Sequence, residues 1–184
     1  RCLSRGLGDV YKRQISTFPQ TNSVHFSQIR LEIRTLQAQL VEWRRYLHQR
    51  PELGFQEEIT ADFIHQTLTK IGIPHETGIA KTGIVATIES FHPGPVLAIR
   101  ADIDALPIYE ENEVPYRSLH EGTMHACGHD GHTTIALGTA YYLWKHRRNF
   151  KGTVKIIFQP AEESPGGAKP MIEGDLMVRV ASEK

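Results

Sequence analysis

Three short apolar runs, separated by stretches of helical periodicity, constrain this chain more than any other feature. They are Ile84-Val85-Ala86-Thr87-Ile88, Val96-Leu97-Ala98-Ile99-Arg100 and Thr153-Val154-Lys155-Ile156-Ile157-Phe158. Gly and Pro bound the first two, and such runs read as strands buried in a sheet. Leu36, Leu40, Trp43 and Leu47 follow 4, 3, 4 spacing and predict a helix over about 28–48, stopped by Pro51. Ala61, Ile64, Leu68 and Ile71 share one face of a second helix over about 57–71, which Gly72 ends. A long loop follows the second run. A third helix, over about 130–146, then carries Ile135, Ala136, Ala140, Leu143 and Trp144. Helices alternating with buried strands make an α/β sheet. With 184 residues and 40% hydrophobic content, the chain can close one domain around a real core.

Composition excludes several classes of function. Lys plus Arg and Asp plus Glu number 21 each, so no basic face points to nucleic acid or an anionic membrane. No apolar run approaches the roughly 18 residues of a membrane span. Cys2 and Cys127 do not form a disulfide framework, and Cys127 reads as a thiolate ligand or a reactive thiol. A thiol of that kind belongs to a reducing compartment, so the expected location is cytoplasmic. Residues 1–27 have no periodicity and no initiating Met, and are expected to be a non-native or disordered leader. The domain is expected over 28–174, with 175–184 as a truncated or aberrant end.

Chemistry concentrates in His125-Ala126-Cys127-Gly128-His129-Asp130-Gly131-His132, which puts a thiol, three imidazoles and a carboxylate within one short segment. Cys and His bind borderline-soft divalent metals such as zinc, and Asp binds or orients a ligand. Packing alone gives no reason for that density. Two further clusters are Arg100-Ala101-Asp102-Ile103-Asp104 and Gln159-Pro160-Ala161-Glu162-Glu163, each at the carboxyl end of a predicted strand. Taken singly, Asp102 and Asp104 read equally well as a loop cap, and Glu162-Glu163 reads first as a solvated turn. If the two strands are parallel and joined through the third helix, however, all three clusters meet at one sheet edge, where open α/β sheets place their sites. Antiparallel pairing would separate them. The other histidines (His25, His48, His65, His75, His92, His120 and His146) are scattered and read mostly as surface or supporting residues, and Trp43 and Trp144 as core.

These segments resemble the metal-dependent amidohydrolases of metallopeptidase family M20, in the branch of hippurate hydrolases, N-acyl-amino-acid amidohydrolases and auxin-conjugate hydrolases. Arg45-Tyr46-Leu47-His48, Pro51-Glu52-Leu53-Gly54-Phe55, Lys81-Thr82-Gly83, Arg100 to Pro107, Met124 to His132 and Gln159 to Glu163 carry the likeness, in the family's order. The resemblance implies part of the catalytic domain of a zinc-peptidase-like fold: a mixed, mostly parallel sheet flanked by helices, without the lid or dimerisation domain. It makes Cys127, His129 and Glu163 metal ligands, Glu162 the general base and Asp104 the residue that orients a ligand. Asp102, His125, Asp130 and His132 become supporting or substrate-binding residues. A complete site would hold two divalent ions, manganese or zinc, with cobalt or nickel as alternatives.

The implied substrate is a small N-acyl amino acid, with no nucleic acid or membrane partner. The parent would be a homo-oligomer formed through the missing domain. Further ligands are expected downstream as histidines, but none follows His146, so this chain alone is expected to be inactive. Two rivals stay open. One is a non-catalytic metal-binding homologue acting as an interaction module, for which an intact Glu162 has no use. The other is thiol catalysis by Cys127 with His125 or His129 as base.

Overall fold

The computed structural model describes residues 23–174. The chain divides into two compact units at Gln37 and Ala38. The described part of the first unit is the leading portion of helix α1 (Ser23–His48), so residues 23–27, expected as part of a leader, are helical. The rest of that expected leader and the expected aberrant end lie outside the described residues. All elements that follow, together with Ala38–His48 of α1, belong to the second unit.

Helix α2 (Glu58–Ile71) forms where the apolar spacing requires it, with Ile64 and Leu68 fully buried. Gly72 ends it in the left-handed region, its N–H donating to the Leu68 and Thr69 carbonyls. Strands β2 (Gly83–Glu89) and β4 (Thr153–Gln159) are buried along most of their length and form the centre of the sheet. Strand β3 (Val96–Asp102) and helix α3 (His129–Lys145) complete the expected set, and a short α4 (Ala168–Glu173) follows. Ile84, Ile88, Ile156 and Phe158 of the sheet pack with Ile64, Leu68, Ile103 and Leu137 in one core, with Trp43 and Trp144 against it. Ile135 is an exception to the helical pattern: it is 66% exposed, while Ala136, Leu137 and Ala140 face the core.

One strand escaped the sequence reading. β1 (His75–Ile79) has a single large apolar residue and lies at the sheet edge, where one-sided pairing suffices. The sheet order is β1-β2-β4-β3, with β1–β2 and β2–β4 antiparallel and β3–β4 parallel. The sheet is therefore mixed but not mostly parallel among the described residues. The pairing that decides the site is the parallel one. Asp102 lies opposite Gln159, and α3 runs between the two strands in the chain.

Candidate metal centre

Because β3 and β4 are parallel and in register to their last residues, the segments after Asp102 and Gln159 leave the sheet at the same edge. The first turn of α3 arrives there as well, where the Thr133 hydroxyl donates to the Asp102 carbonyl at 3.1 Å. The backbone N–H of Glu163 donates to Asp104 Oδ2 at 3.0 Å, which ties the two strand exits together. Gly128 precedes the helix at φ +86°, a conformation that glycine adopts without steric penalty, and so Cys127 and His129 flank a sharp turn.

His129 is the centre of the arrangement. Its ring is 2% exposed, and Nδ1 lies 3.0 Å from the Asp104 carbonyl and 3.1 Å from Asp104 Oδ1. In the neutral ring, two acceptors at Nδ1 place the proton there, which leaves the Nε2 lone pair available. Around Nε2 stand Asp102 Oδ1 at 3.7 Å, Glu163 Oε1 at 3.8 Å and Glu162 Oε2 at 3.9 Å, all too long for hydrogen bonds. His132 Nδ1 holds Asp102 Oδ1 at 2.6 Å. Arg100 donates to Gln159 Oε1 at 2.7 Å and reaches toward Asp102 and Glu162 at 3.6 and 3.9 Å.

Two donor sets emerge, and both include His129. Cys127, His129 and Glu163 offer a sulfur, a nitrogen and an oxygen, and Asp102, His129 and His132 offer an oxygen and two nitrogens. Within each set the ligand atoms lie within 4.8 Å of one another. Thiolate, imidazole and carboxylate are the donor types that zinc and its neighbours take. A single available lone pair on a ring fixed through its other nitrogen also suits a cation.

Comparison with known proteins agrees. Residues 98–182 match peptidase family M20/M25/M40. The chain is 52% identical over 136 residues to the Bacillus subtilis (strain 168) protein YhaA, an alignment covering 73% of this chain and 34% of that one. It is 44% identical over 151 residues to the N-acyl-L-amino acid amidohydrolase of Geobacillus stearothermophilus, covering 82% and 41%. The crystal structure of a dinuclear metal-binding peptidase of the M20 family from Bacillus subtilis superposes with a TM-score of 0.75 at 46% identity, over 78% of this chain and 41% of that one. The chain belongs to peptidase family M20/M25/M40. It spans between 34% and 41% of the length of these M20 relatives.

The protonation states in this M20 chain follow from the same contacts. Burial alone would lower the His129 ring, but the hydrogen bond to Asp104 and the charge of Asp102 raise it above its ordinary value. Burial pushes the Asp104 carboxyl up, and the bonds from His129 and the Glu163 N–H outweigh it, so Asp104 stays below the ordinary carboxylate range. Cys127 is exposed, and its thiol is raised chiefly by a hydrogen bond to Glu163 and then by burial. A thiol held protonated in this way is a poor nucleophile. A cation would displace its proton outright.

Of the residues singled out in the sequence, Asp102, Asp104, Cys127, His129, His132, Glu162 and Glu163 come together. His125 and Asp130 do not face the centre. Asp130 Oδ2 binds His48 Nδ1 at 2.7 Å and Arg44 Nε at 2.8 Å, while its Oδ1 accepts the Gly131 N–H. His48 Nε2 reaches Glu110 Oε1 at 3.1 Å, and Glu110 Oε2 accepts the Ser118 N–H. His125 is buried, with neither ring nitrogen hydrogen-bonded among the described residues, and burial pushes it down to about 4. Sequence reasoning gave no role to Arg44 or Glu110 and set His48 among the scattered histidines. The one available signal was the place of His48 beside Leu47 on the buried side of α1, and nothing in the sequence marks Glu110.

Proposed function

We propose that these residues are the metal-holding and proton-transferring part of a hydrolase that cleaves the amide bond of N-acyl amino acids. The observation that carries the reading is His129 Nε2. Its lone pair is free, it is ringed by three carboxylates beyond hydrogen-bond reach, and a thiol is the fourth neighbour. Cys127, His129 and Glu163 would hold a divalent ion. Asp104 fixes the His129 ring and its tautomer. His132 steadies Asp102 beside it. When bound, the metal supplies a Lewis acid that polarises the amide carbonyl and acidifies water.

Glu162, next to Glu163, is free to act as general base and then to pass the proton to the leaving amine. Adjacent carboxylates divide the work because only one need bind metal. The substrate class rests on the relatives, among them an N-acyl-L-amino acid amidohydrolase. The chain spans between 34% and 41% of the length of these relatives, so turnover is assigned to the whole protein and the 184-residue chain alone is expected to be inactive or nearly so.

The test is a pair of substitutions in the full-length protein. Glu162→Gln should keep its metal, counted by elemental analysis, and lose turnover of an N-acyl amino acid by about 10²–10⁴-fold. Glu163→Gln should lose metal. Near-normal turnover in Glu162→Gln would remove the base assignment. Turnover that survives EDTA would instead favour the thiol mechanism.

A further inference from the structure

We propose that Glu57 is a positioning residue for the Glu162–Glu163 pair and acts through the backbone N–H of Ala161. The inference rests on the reading of Glu163 as a metal ligand.

Glu57 stands at the N-cap of α2 but makes no capping bond. Glu52 caps that helix instead, its carboxylate accepting the N–H groups of Ile59 at 2.9 Å and Thr60 at 2.8 Å. The Glu57 side chain is thereby released and turns inward, where it is 0% exposed. Its Oε1 accepts the Ala161 N–H at 2.8 Å, and its Oε2 accepts the Thr82 hydroxyl at 2.6 Å. A carboxylate buried against two neutral donors is costly unless both oxygens are bonded. Here both are. One of the two donors adjoins the candidate centre.

Ala161 is a non-glycine residue in the left-handed region, at φ +48°. That conformation lies uphill for alanine and persists only where its surroundings impose it. Its peptide is held from both sides. Glu57 takes the N–H, and the carbonyl accepts the N–H groups of Gly167 at 2.7 Å and Gly166 at 3.1 Å. Gly54 closes the remaining space, because a Cβ there would collide with the Ser164 carbonyl oxygen and stand 2.8 Å from Ala161 Cβ. The turn made at Ala161 sets the direction of the next two residues, Glu162 and Glu163. Without the Glu57 acceptor, Ala161 would relax toward ordinary φ and swing both carboxylates away from His129.

Cobalt(II) binding to the chain tests this. It is followed by the thiolate-to-cobalt absorption that Cys127 would give, with folding followed by circular dichroism. Glu57→Ala should weaken cobalt binding by about tenfold or more. Glycine occupies the left-handed region without penalty, so adding Ala161→Gly should recover most of the lost affinity. If Glu57→Ala does not fold, the double variant should recover both folding and cobalt. Unchanged affinity in Glu57→Ala overturns the proposal, as does a double variant no better than Glu57→Ala in affinity or folding. Glu163→Ala separates the two readings. If it weakens binding while Glu57→Ala does not, only the role of Glu57 fails. If it binds cobalt as tightly as the unmodified chain, or if that chain gives no cobalt absorption, the ligand reading fails and this proposal with it.

Discussion

His129 and Asp130 are neighbours in the first turn of α3, yet they lie in two networks built from the same kinds of side chain. Behind the helix, Asp130, His48, Arg44 and Glu110 are joined at 2.7–3.1 Å, and Asp130 is 1% exposed. In front, His129 Nε2 faces carboxylates at 3.7–3.9 Å, and Glu162 and Glu163 are 38% and 27% exposed. Short contacts among imidazoles, guanidinium and carboxylates mark a set that satisfies itself. A ring nitrogen whose carboxylate neighbours all stand beyond hydrogen-bond reach, as at His129 Nε2, instead suits a cation. The rear network ties α3 to α1 through Asp130, and the front one is the candidate centre.

The largest effect expected from that contrast is on the front face. His129→Ala removes the nitrogen common to both donor sets and should abolish cobalt binding, read from the thiolate-to-cobalt absorption. The same substitution should leave the rear network intact. Next comes Asp130→Ala, which leaves His48 and Arg44 without their shared carboxylate. It should destabilise the chain by about 3 kcal/mol in a denaturant titration, the lower end of what losing one partner of a buried pair costs, since Arg44 is partly exposed. A stability loss well under 1 kcal/mol would remove the distinction between the two faces. His132→Ala removes the brace on Asp102 and one nitrogen of the second donor set, and should weaken cobalt binding by about tenfold without changing stability much.

The smallest effect concerns pH. The hydrogen bond to Asp130 raises His48 above 6.5 against the opposing effect of burial. Burial pushes Asp130 and Glu110 up, but the His48 bond, and for Glu110 foremost the Ser118 N–H, hold them below 3.8 and 4.5. The His48 contribution is therefore complete below pH 6.5 and is lost as pH rises through its folded value. The carboxylate contribution is complete above pH 4.5 and is lost as pH falls through the folded values. The difference in Tm between the unmodified chain and His48→Gln should thus be greatest between pH 4.5 and 6.5 and shrink on the alkaline side. His125, pushed down to about 4 chiefly by burial, opposes stability below its ordinary value in both proteins, slightly less in His48→Gln because the His48 charge is one of the smaller causes of its shift. A Tm difference that grows with pH would show that His48 is buried neutral.

Local chemistry made much of this chain legible. The strand runs at 84–88, 96–100 and 153–158 and the three helices follow from apolar period alone, because a side chain's face is fixed by its own backbone geometry. The density of Cys and His at 125–132 marked the centre, since those side chains have no packing reason to cluster. β1 was not legible, because an edge strand needs little apolar surface. Nor was the antiparallel seating of β2 on β4, because an apolar run buried on both faces looks the same in either direction. The separation of His129 from Asp130, the bond that Glu57 accepts from an amide 104 residues away and the part played by Glu110 came only from the tertiary structure. Sequence fixes which groups a segment can offer. Their partners are chosen by distances between segments far apart in the chain, and those distances exist only once the core has closed.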